Sequence, residues 1–213
     1  MIYVAIIFGL FFGFIVKQII NWLKIDDFII ENKNPSIEII SILLSIWGFM
    51  NLELSVAIPF TLISIILIGI SFVDFKTFQV PLIFILMGIL VTIVNIYIEN
   101  IYINAALWGV FIGSIIPLAI LGIMWVITKR QGMGFGDIQL GVVLGAWLGP
   151  MRMALTLFFA SLLSLLTWIA VSIFKGFDRD RALPMVPFLT IAALGVYIGS
   201  FYYPDFFYLL IMQ

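Results

Sequence analysis

Two aspartates at the ends of apolar segments are the residues of this sequence best suited to chemistry. Asp74 closes one long apolar run, and Asp137 ends the glycine-rich stretch Gly132-Met133-Gly134-Phe135-Gly136-Asp137, which opens another. A charged group near hydrocarbon costs at least about 2–3 kcal/mol, so such residues usually pair, face a wet cavity and serve a function. The two carboxylates are therefore the first candidates for a functional site.

A pair of carboxylates has a recognised chemistry. When they lie a few ångströms apart they cannot both ionise easily, so they share one proton. The ionised member activates a water molecule while the protonated member polarises a carbonyl, as in aspartic proteases. Gly134 and Gly136 are expected to permit backbone angles and a close approach beside Asp137 that a side chain would forbid. The alternative is structural: Asp137 caps a helix N-terminus, and Asp74 is an ordinary charge near Lys76.

The composition indicates that these aspartates lie in a membrane protein. The chain of 213 residues is 64% hydrophobic and only 10% charged, with a mean hydropathy of +1.28, whereas roughly a quarter of the residues in a soluble domain carry charge. Ten Lys and Arg against eleven Asp and Glu give no net field that would attract nucleic acid. Because the sequence contains no Cys and no His, thiolate catalysis, imidazole catalysis and nearly every zinc site are excluded. We expect no metal and no cofactor.

Apolar segments broken by polar, Gly or Pro residues predict an all-α bundle of about eight transmembrane helices, in a single domain over residues 1–213. With the N-terminus outside, nine of the ten cations fall on the cytoplasmic side and only Arg152 falls outside, in agreement with the positive-inside rule. Asp74 and Asp137 then share the cytoplasmic face. The predicted spans are Ile2–Trp22, Ser36–Met50, Val56–Val73, Val80–Ile98, Asn104–Thr128, Phe135–Leu148, Met153–Phe174 and Leu183–Tyr203.

Small residues four positions apart predict close packing between these helices. They recur at Gly9/Gly13, Gly109/Gly113, Gly141/Gly145/Gly149 and Gly195/Gly199. The third of these series lies on the helix that carries Asp137. We expect its smooth face to permit the approach of a neighbouring helix that brings Asp74 close.

Several blocks in a fixed order give the sequence a resemblance to the type IV prepilin leader peptidases, the GxGD membrane aspartic proteases. The resemblance implies that Asp74 and Asp137 are the catalytic dyad of an aspartic endopeptidase, and that the lipid bilayer delivers its prepilin or pseudopilin substrates. It also implies a multi-pass protein of a prokaryotic inner (cytoplasmic) membrane that serves type IV pili or secretion. The blocks are Gly9-Leu10-Phe11-Phe12-Gly13, Pro35-Ser36-Ile37-Glu38, Asp74 with Pro81, Gly132 to Asp137, Gly145-Ala146-Trp147-Leu148-Gly149 and Leu183-Pro184-Met185-Val186-Pro187-Phe188.

The departures from the family pattern leave alternatives open. The cytoplasmic insert with two cysteine pairs, which the family links to N-methylation with S-adenosylmethionine, is reduced here to about residues 24–35 and contains no cysteine. The resemblance therefore does not support methyltransferase activity. Leu82, Gln139 and Val186 differ from the residues usual in the family, so a catalytically inactive homologue is one alternative. An ion or proton transporter with two buried carboxylates is another, although its site would be expected near the bilayer midplane.

Overall fold

A computed structural model describes residues 1–31, 33–98, 101–128, 134–178 and 182–206, and its regular elements in these ranges are helices. The chain divides into two compact units, Met1–Ile103 and Asn104–Gln213. A 3-10 turn, Ile25–Asp27, follows the first helix, and a π-helical turn, Phe111–Ile115, joins the fifth to the sixth. The helices are α1 Ile2–Leu23, α2 Ser36–Asn51, α3 Leu54–Thr77, α4 Leu82–Tyr97, α5 Ile103–Val110, α6 Ile116–Thr128, α7 Phe135–Lys175 and α8 Val186–Tyr202.

Length and hydropathy make this an all-α membrane protein, as predicted. Four helical segments are long and apolar enough to cross a bilayer: α1, α3, Ile103–Ile127 and α7. The helices α2, α4 and α8 are also apolar but shorter, with 16, 16 and 17 residues. Large apolar side chains such as Phe11, Leu86 and Leu165 are exposed on the helix surfaces, where hydrocarbon would cover them.

The helix α7 folds back on itself near its middle. Gly149 has φ 75° and ψ 178°, and Pro150 follows it. A Cβ atom added to Gly113 would overlap the carbonyl oxygen of Gly141 and lie 3.0 Å from Cε of Met153. In a straight helix the 12 residues between Gly141 and Met153 would hold them about 18 Å apart. The two halves of α7 therefore correspond to the predicted sixth and seventh spans.

The first unit is an antiparallel arrangement of α1 and α2 packed on α3. A Cβ atom added to Gly9 would lie 2.7 Å from Cα of Ile42, so the two backbones are in close contact. Nearby, the Ser45 hydroxyl donates a 2.8 Å hydrogen bond to the carbonyl oxygen of Ala5. A Cβ atom on Gly69 of α3 would lie 2.5 Å from a methyl carbon of Val16. Glycines thus let α1 approach both neighbours, as the spacing predicted for Gly9 and Gly13.

The second unit is built on a glycine contact between the α5–α6 segment and the first half of α7. A Cβ atom on Gly109 would overlap the carbonyl oxygen of Gly145, and one on Gly113 would overlap that of Gly141. The predicted packing is confirmed here. The expectation that this face of α7 receives the helix bearing Asp74 is wrong at Gly141 and Gly145, because Gly109 and Gly113 fill it.

The glycines of α8 behave differently. A Cβ atom added to Gly195 or Gly199 would meet no other described atom within 4 Å. The packing predicted for this pair is therefore not observed in the described part of the chain.

Candidate active site

Asp74 lies in the last turn of α3, the most deeply buried helix of the first unit. Its side chain is 4% exposed and follows the fully buried Ile70 and Val73. The carbonyl oxygen of Asp74 accepts the N–H of Phe78 at 2.9 Å, and Phe78, with φ 54°, ends the helix. A carboxylate is thus held at the end of a rigid, packed helix, with a turn immediately after it.

Lys76, two residues beyond Asp74, has a different environment. It is exposed, and its ammonium lies 5.7 Å from the centroid of the Phe75 ring. This is the surface position expected of a lysine that extends towards the membrane–water boundary.

Asp137 lies in the first turn of α7, in the second unit. Its side chain is 8% exposed, and Oδ2 accepts the backbone N–H of Gly134 at 3.1 Å. The capping role considered as the structural alternative is therefore real. This capping role does not exclude a catalytic role for Asp137, because the same hydrogen bond holds the carboxylate in one orientation.

Gly134, three residues before Asp137, acts by the space it leaves and not by an unusual backbone angle. Gly134 has φ −74° and ψ 146°, which any residue can adopt, and Gly136 lies within the helix. The expectation of special backbone angles is wrong for Gly134. A Cβ atom on Gly134 would, however, lie 3.2 Å from Oδ2 of Asp137, so the expected close approach is present. Gly132 and Met133 lie outside the described residues.

Within each unit the aspartate lies at the end predicted to be cytoplasmic. In the first unit, Nε2 of Gln79, just after α3, donates a 2.8 Å hydrogen bond to Asp26, just after α1, so the C-terminal ends of α1 and α3 meet. In the second unit, Asp137 begins the first half of α7 and Arg152 lies just beyond the fold-back, at the opposite end. Each unit taken alone agrees with the predicted alternation of spans.

A buried ion pair near the end of α1 was missed by the sequence analysis. Lys17 was counted there as a cation of the cytoplasmic side, but it lies inside α1 and is only 2% exposed. Its ammonium donates to Oε1 of Glu38 at 3.0 Å and to the carbonyl oxygen of Asn34 at 2.7 Å. The sequence did indicate a partner for Lys17, since the carboxylate of Glu38 lies at the start of the next predicted span. An ion pair across α1 and α2 brings two opposite charges together in a low-dielectric region.

Asn21, one turn beyond Lys17, holds the connection between α1 and α2. Its side-chain amide donates to the carbonyl oxygen of Ile30 at 3.0 Å and accepts the N–H of Ile30 at 2.7 Å. Together with the bond from Lys17 to Asn34, this fixes Ile30 and Asn34 of the connection against the end of α1. The described residues of this short connection are therefore bonded to the first unit. No group of three or more Asp or Glu side chains that could share a metal ion is found among the described residues.

Comparison with known protein families shows to which family this chain belongs. The model of the type IV leader peptidase family matches residues 61–169, which is just over half of the chain and includes both aspartates. The chain belongs to this family. Its membership agrees with the resemblance carried by the ordered sequence blocks.

Several curated relatives of this leader peptidase family member are named prepilin leader peptidase/N-methyltransferase. The protein of Aeromonas salmonicida is 25% identical over 168 residues, or 76% of this chain and 57% of its own length. That of Pseudomonas putida is 29% identical over 168 residues, with the same coverage, and that of Dichelobacter nodosus is 28% identical over 145 residues. The chain thus spans little more than half the length of these relatives. No solved structure matches it significantly.

Proposed function

We propose that this chain is a membrane aspartic endopeptidase that removes the leader peptide from type IV prepilin-like precursors at the cytoplasmic face of a prokaryotic inner membrane. The observation that carries the proposal is the family match over residues 61–169, which contains two aspartates buried at helix ends. The relatives' names supply the substrate class.

In this proposal Asp74 and Asp137 act on one peptide bond, with Gly134 and Gly136 supporting the loop before Asp137. The ionised carboxylate takes a proton from water, whose oxygen forms a bond to the carbonyl carbon of the substrate. The protonated carboxyl group polarises that carbonyl. As the C–N bond breaks, the leaving nitrogen takes up a proton, and the products are a carboxylic acid and an amine. Neither metal nor cofactor takes part.

The location of the aspartates fits a substrate that lies partly in the bilayer. A precursor with a cytoplasmic leader followed by an apolar helix places its cleavage site at the membrane surface. Asp74 lies in the last turn of α3 and Asp137 in the first turn of α7, at the helix ends predicted to face the cytoplasm. A transporter would be expected to hold its carboxylates near the midplane, so this placement favours the peptidase.

The test is a cleavage assay with mass spectrometry of the product. Membranes containing the chain are incubated with a prepilin-type precursor, and the Pseudomonas putida relative serves as a positive control. We expect Asp74→Asn and Asp137→Asn each to reduce cleavage by about 10³-fold or more, because neither carboxylate can do both tasks. Cleavage of the precursor by the relative but not by this chain would contradict the proposal.

A matched control separates loss of the dyad from loss of a surface charge. Asp27 is an exposed aspartate of the connection after α1, with φ 58°, a conformation that Asn also tolerates. Asp27→Asn should therefore cleave at the rate of the unmodified chain. Near-normal cleavage by either dyad variant would refute the assignment of Asp74 and Asp137.

The same spectra test the second activity named for the relatives. The connection between α1 and α2 covers only about residues 24–35 and has no cysteine. We propose that the chain has the peptidase activity alone, so the product should lack a methyl group even when S-adenosylmethionine is supplied. A methylated product that depends on both the chain and S-adenosylmethionine would overturn this.

A further inference from the structure

Arg152 occupies an unusual position in the second unit. It lies just beyond the fold-back at Gly149 and Pro150, about 18 Å along the first half of α7 from the level of Asp137. It is the single cation that the positive-inside rule places on the far side of the membrane. Nothing in the proposed peptidase chemistry uses it.

The guanidinium of Arg152 is held by an aromatic stack. Its central carbon lies 5.4 Å from the centroid of the Tyr197 ring, which is within cation–π range. The Tyr197 ring in turn stacks on Trp147, with centroids 4.9 Å apart and planes 12° from parallel. Two aromatic side chains, Tyr197 of α8 and Trp147 just before the fold-back, thus orient the half-buried cation just after it.

The described part of the chain offers this cation no anion. Lys17 pairs with Glu38, whereas Arg152 forms no ion pair with the described residues. Arg152 also lies in the first turn after a break in the helix, where the helix dipole disfavours positive charge. An external anion would stabilise a half-buried guanidinium in this setting, because an unpaired charge beside hydrocarbon is costly.

The surroundings of Arg152 point to an amphiphilic anion. Phe159, seven residues further on, lies on the same face of the helix about 10 Å away along its axis and is 42% exposed. The exposed Phe158 and Leu162 extend this apolar surface. A planar guanidinium matches the paired oxygens of a phosphodiester, and an apolar strip below it matches an acyl chain.

We propose that Arg152 and Tyr197 form a binding site for the phosphodiester headgroup of an anionic phospholipid, in the leaflet opposite to the Asp137 end of the unit. One acyl chain of this lipid lies along Phe159. The site binds lipid irrespective of whether the chain is a peptidase.

Native mass spectrometry of the full chain in detergent tests the site. The probes are phosphatidylglycerol, diacylglycerol with the same acyl chains, and inorganic phosphate. We expect one phosphatidylglycerol per chain and weaker binding of the other two, because only phosphatidylglycerol combines both groups. Arg152→Gln should weaken phosphatidylglycerol binding by about 10-fold or more, since charge-assisted hydrogen bonds are lost.

Lys175→Gln is the matched control, because Lys175 is an exposed cation at the other end of the second half of α7. It should bind phosphatidylglycerol like the unmodified chain. Unchanged binding by a folded Arg152→Gln protein would overturn the proposal. So would equal binding of inorganic phosphate, which would indicate a site for a free anion, or of diacylglycerol, which would indicate an apolar groove.

If Arg152→Gln fails to fold, two milder variants decide the question. Arg152→Lys keeps the charge but loses the planar, bidentate geometry, so it should bind phosphatidylglycerol more weakly. Phe159→Ala removes the acyl-chain contact and should weaken phosphatidylglycerol binding while leaving the guanidinium intact. Unchanged binding in both variants would refute the site.

Discussion

At the scale of single residues, Asp137 combines a structural contact with a proposed chemical one. Its Oδ2 accepts the N–H of Gly134, which orders the first turn of α7. An amide can accept that bond but cannot exchange a proton as a carboxyl group does. The two roles can therefore be separated by substitution.

We predict that Asp137→Asn keeps the stability of the chain and loses cleavage, whereas Asp137→Ala loses cleavage and also about 1 kcal/mol of stability. Thermal unfolding in detergent and the cleavage assay measure the two effects. Full cleavage by the Asn variant, combined with failure of the Ala variant, would show that capping is the whole function of Asp137.

The buried pair of Lys17 and Glu38 gives a second residue-scale prediction. Lys17→Met alone leaves the Glu38 carboxylate buried without its cation and should lower the free energy of unfolding by about 3–5 kcal/mol. Adding Glu38→Gln to this variant should recover part of the loss, because no unpaired charge is then buried. Lys175→Met, at an exposed position, should change stability by less than about 0.5 kcal/mol. A double variant less stable than Lys17→Met would contradict the argument.

Sequence reasoning located Asp74, Asp137 and Glu38 correctly relative to the helix ends, because a charge beside apolar runs marks a boundary. It placed Lys17 on the cytoplasmic side and missed its burial, since only the packing of α2 against Gly9 and Gly13 brings Glu38 and Asn34 to it. Such a contact joins two residues distant in sequence, and hydropathy alone does not indicate it.

At the scale of the helices, the glycine contact between α5–α6 and α7 is the tightest in the second unit. Gly113→Ala would place a methyl group against the carbonyl oxygen of Gly141, a backbone atom that cannot move aside easily. We predict a loss of about 1–3 kcal/mol in the free energy of unfolding. Denaturation of the purified chain in mixed detergent micelles measures it.

Gly195→Ala is the control for this prediction. The same spacing of glycines occurs in α8, but an added Cβ atom on Gly195 would meet no described atom within 4 Å. The substitution should be neutral or stabilise the helix by up to about 1 kcal/mol, since Gly is a poor helix former. Equal destabilisation by the two substitutions would show that the close approach at Gly113 is not the cause.

This comparison also shows how far sequence predicts helices. The apolar segments gave the helix bounds to within a few residues, and the predicted break between Leu148 and Met153 is present at Gly149. Gly109/Gly113 and Gly195/Gly199 have the same spacing, yet among the described residues only the first of these two pairs packs against another helix through its glycines. The tertiary arrangement decides which pair of glycines meets another helix. The local spacing of the glycines does not indicate that arrangement.

At the scale of the whole molecule, the proposal requires Asp74 and Asp137 to lie within reach of one water molecule. The chain has no cysteine, so the double variant Asp74→Cys/Asp137→Cys contains only two thiols. We predict that a short bifunctional thiol reagent cross-links them in membranes. Arg152→Cys combined with Asp74→Cys is the matched control, and it should remain uncross-linked. Cross-linking of the control pair alone would contradict a shared site.

The charge distribution predicted that Asp137 and Arg152 lie at opposite ends of one span, and in the second unit they lie at opposite ends of the first half of α7. The division at residue 103 was not predicted, since the connection between Ile98 and Asn104 does not differ in composition from other short connections. The single domain over residues 1–213 and the outside position of the N-terminus stay predictions.

The fold-back at Gly149 has a consequence for biosynthesis. No polar loop separates the two halves of α7. The translocon therefore has no polar segment at which to separate the insertion of the first half from that of the second. We expect the two apolar halves of α7 to enter the lipid together, as one helical hairpin. Arg152 is the only charge at its tip, and in the predicted orientation this charge must cross the hydrocarbon core, a cost that the apolar residues of both halves offset jointly.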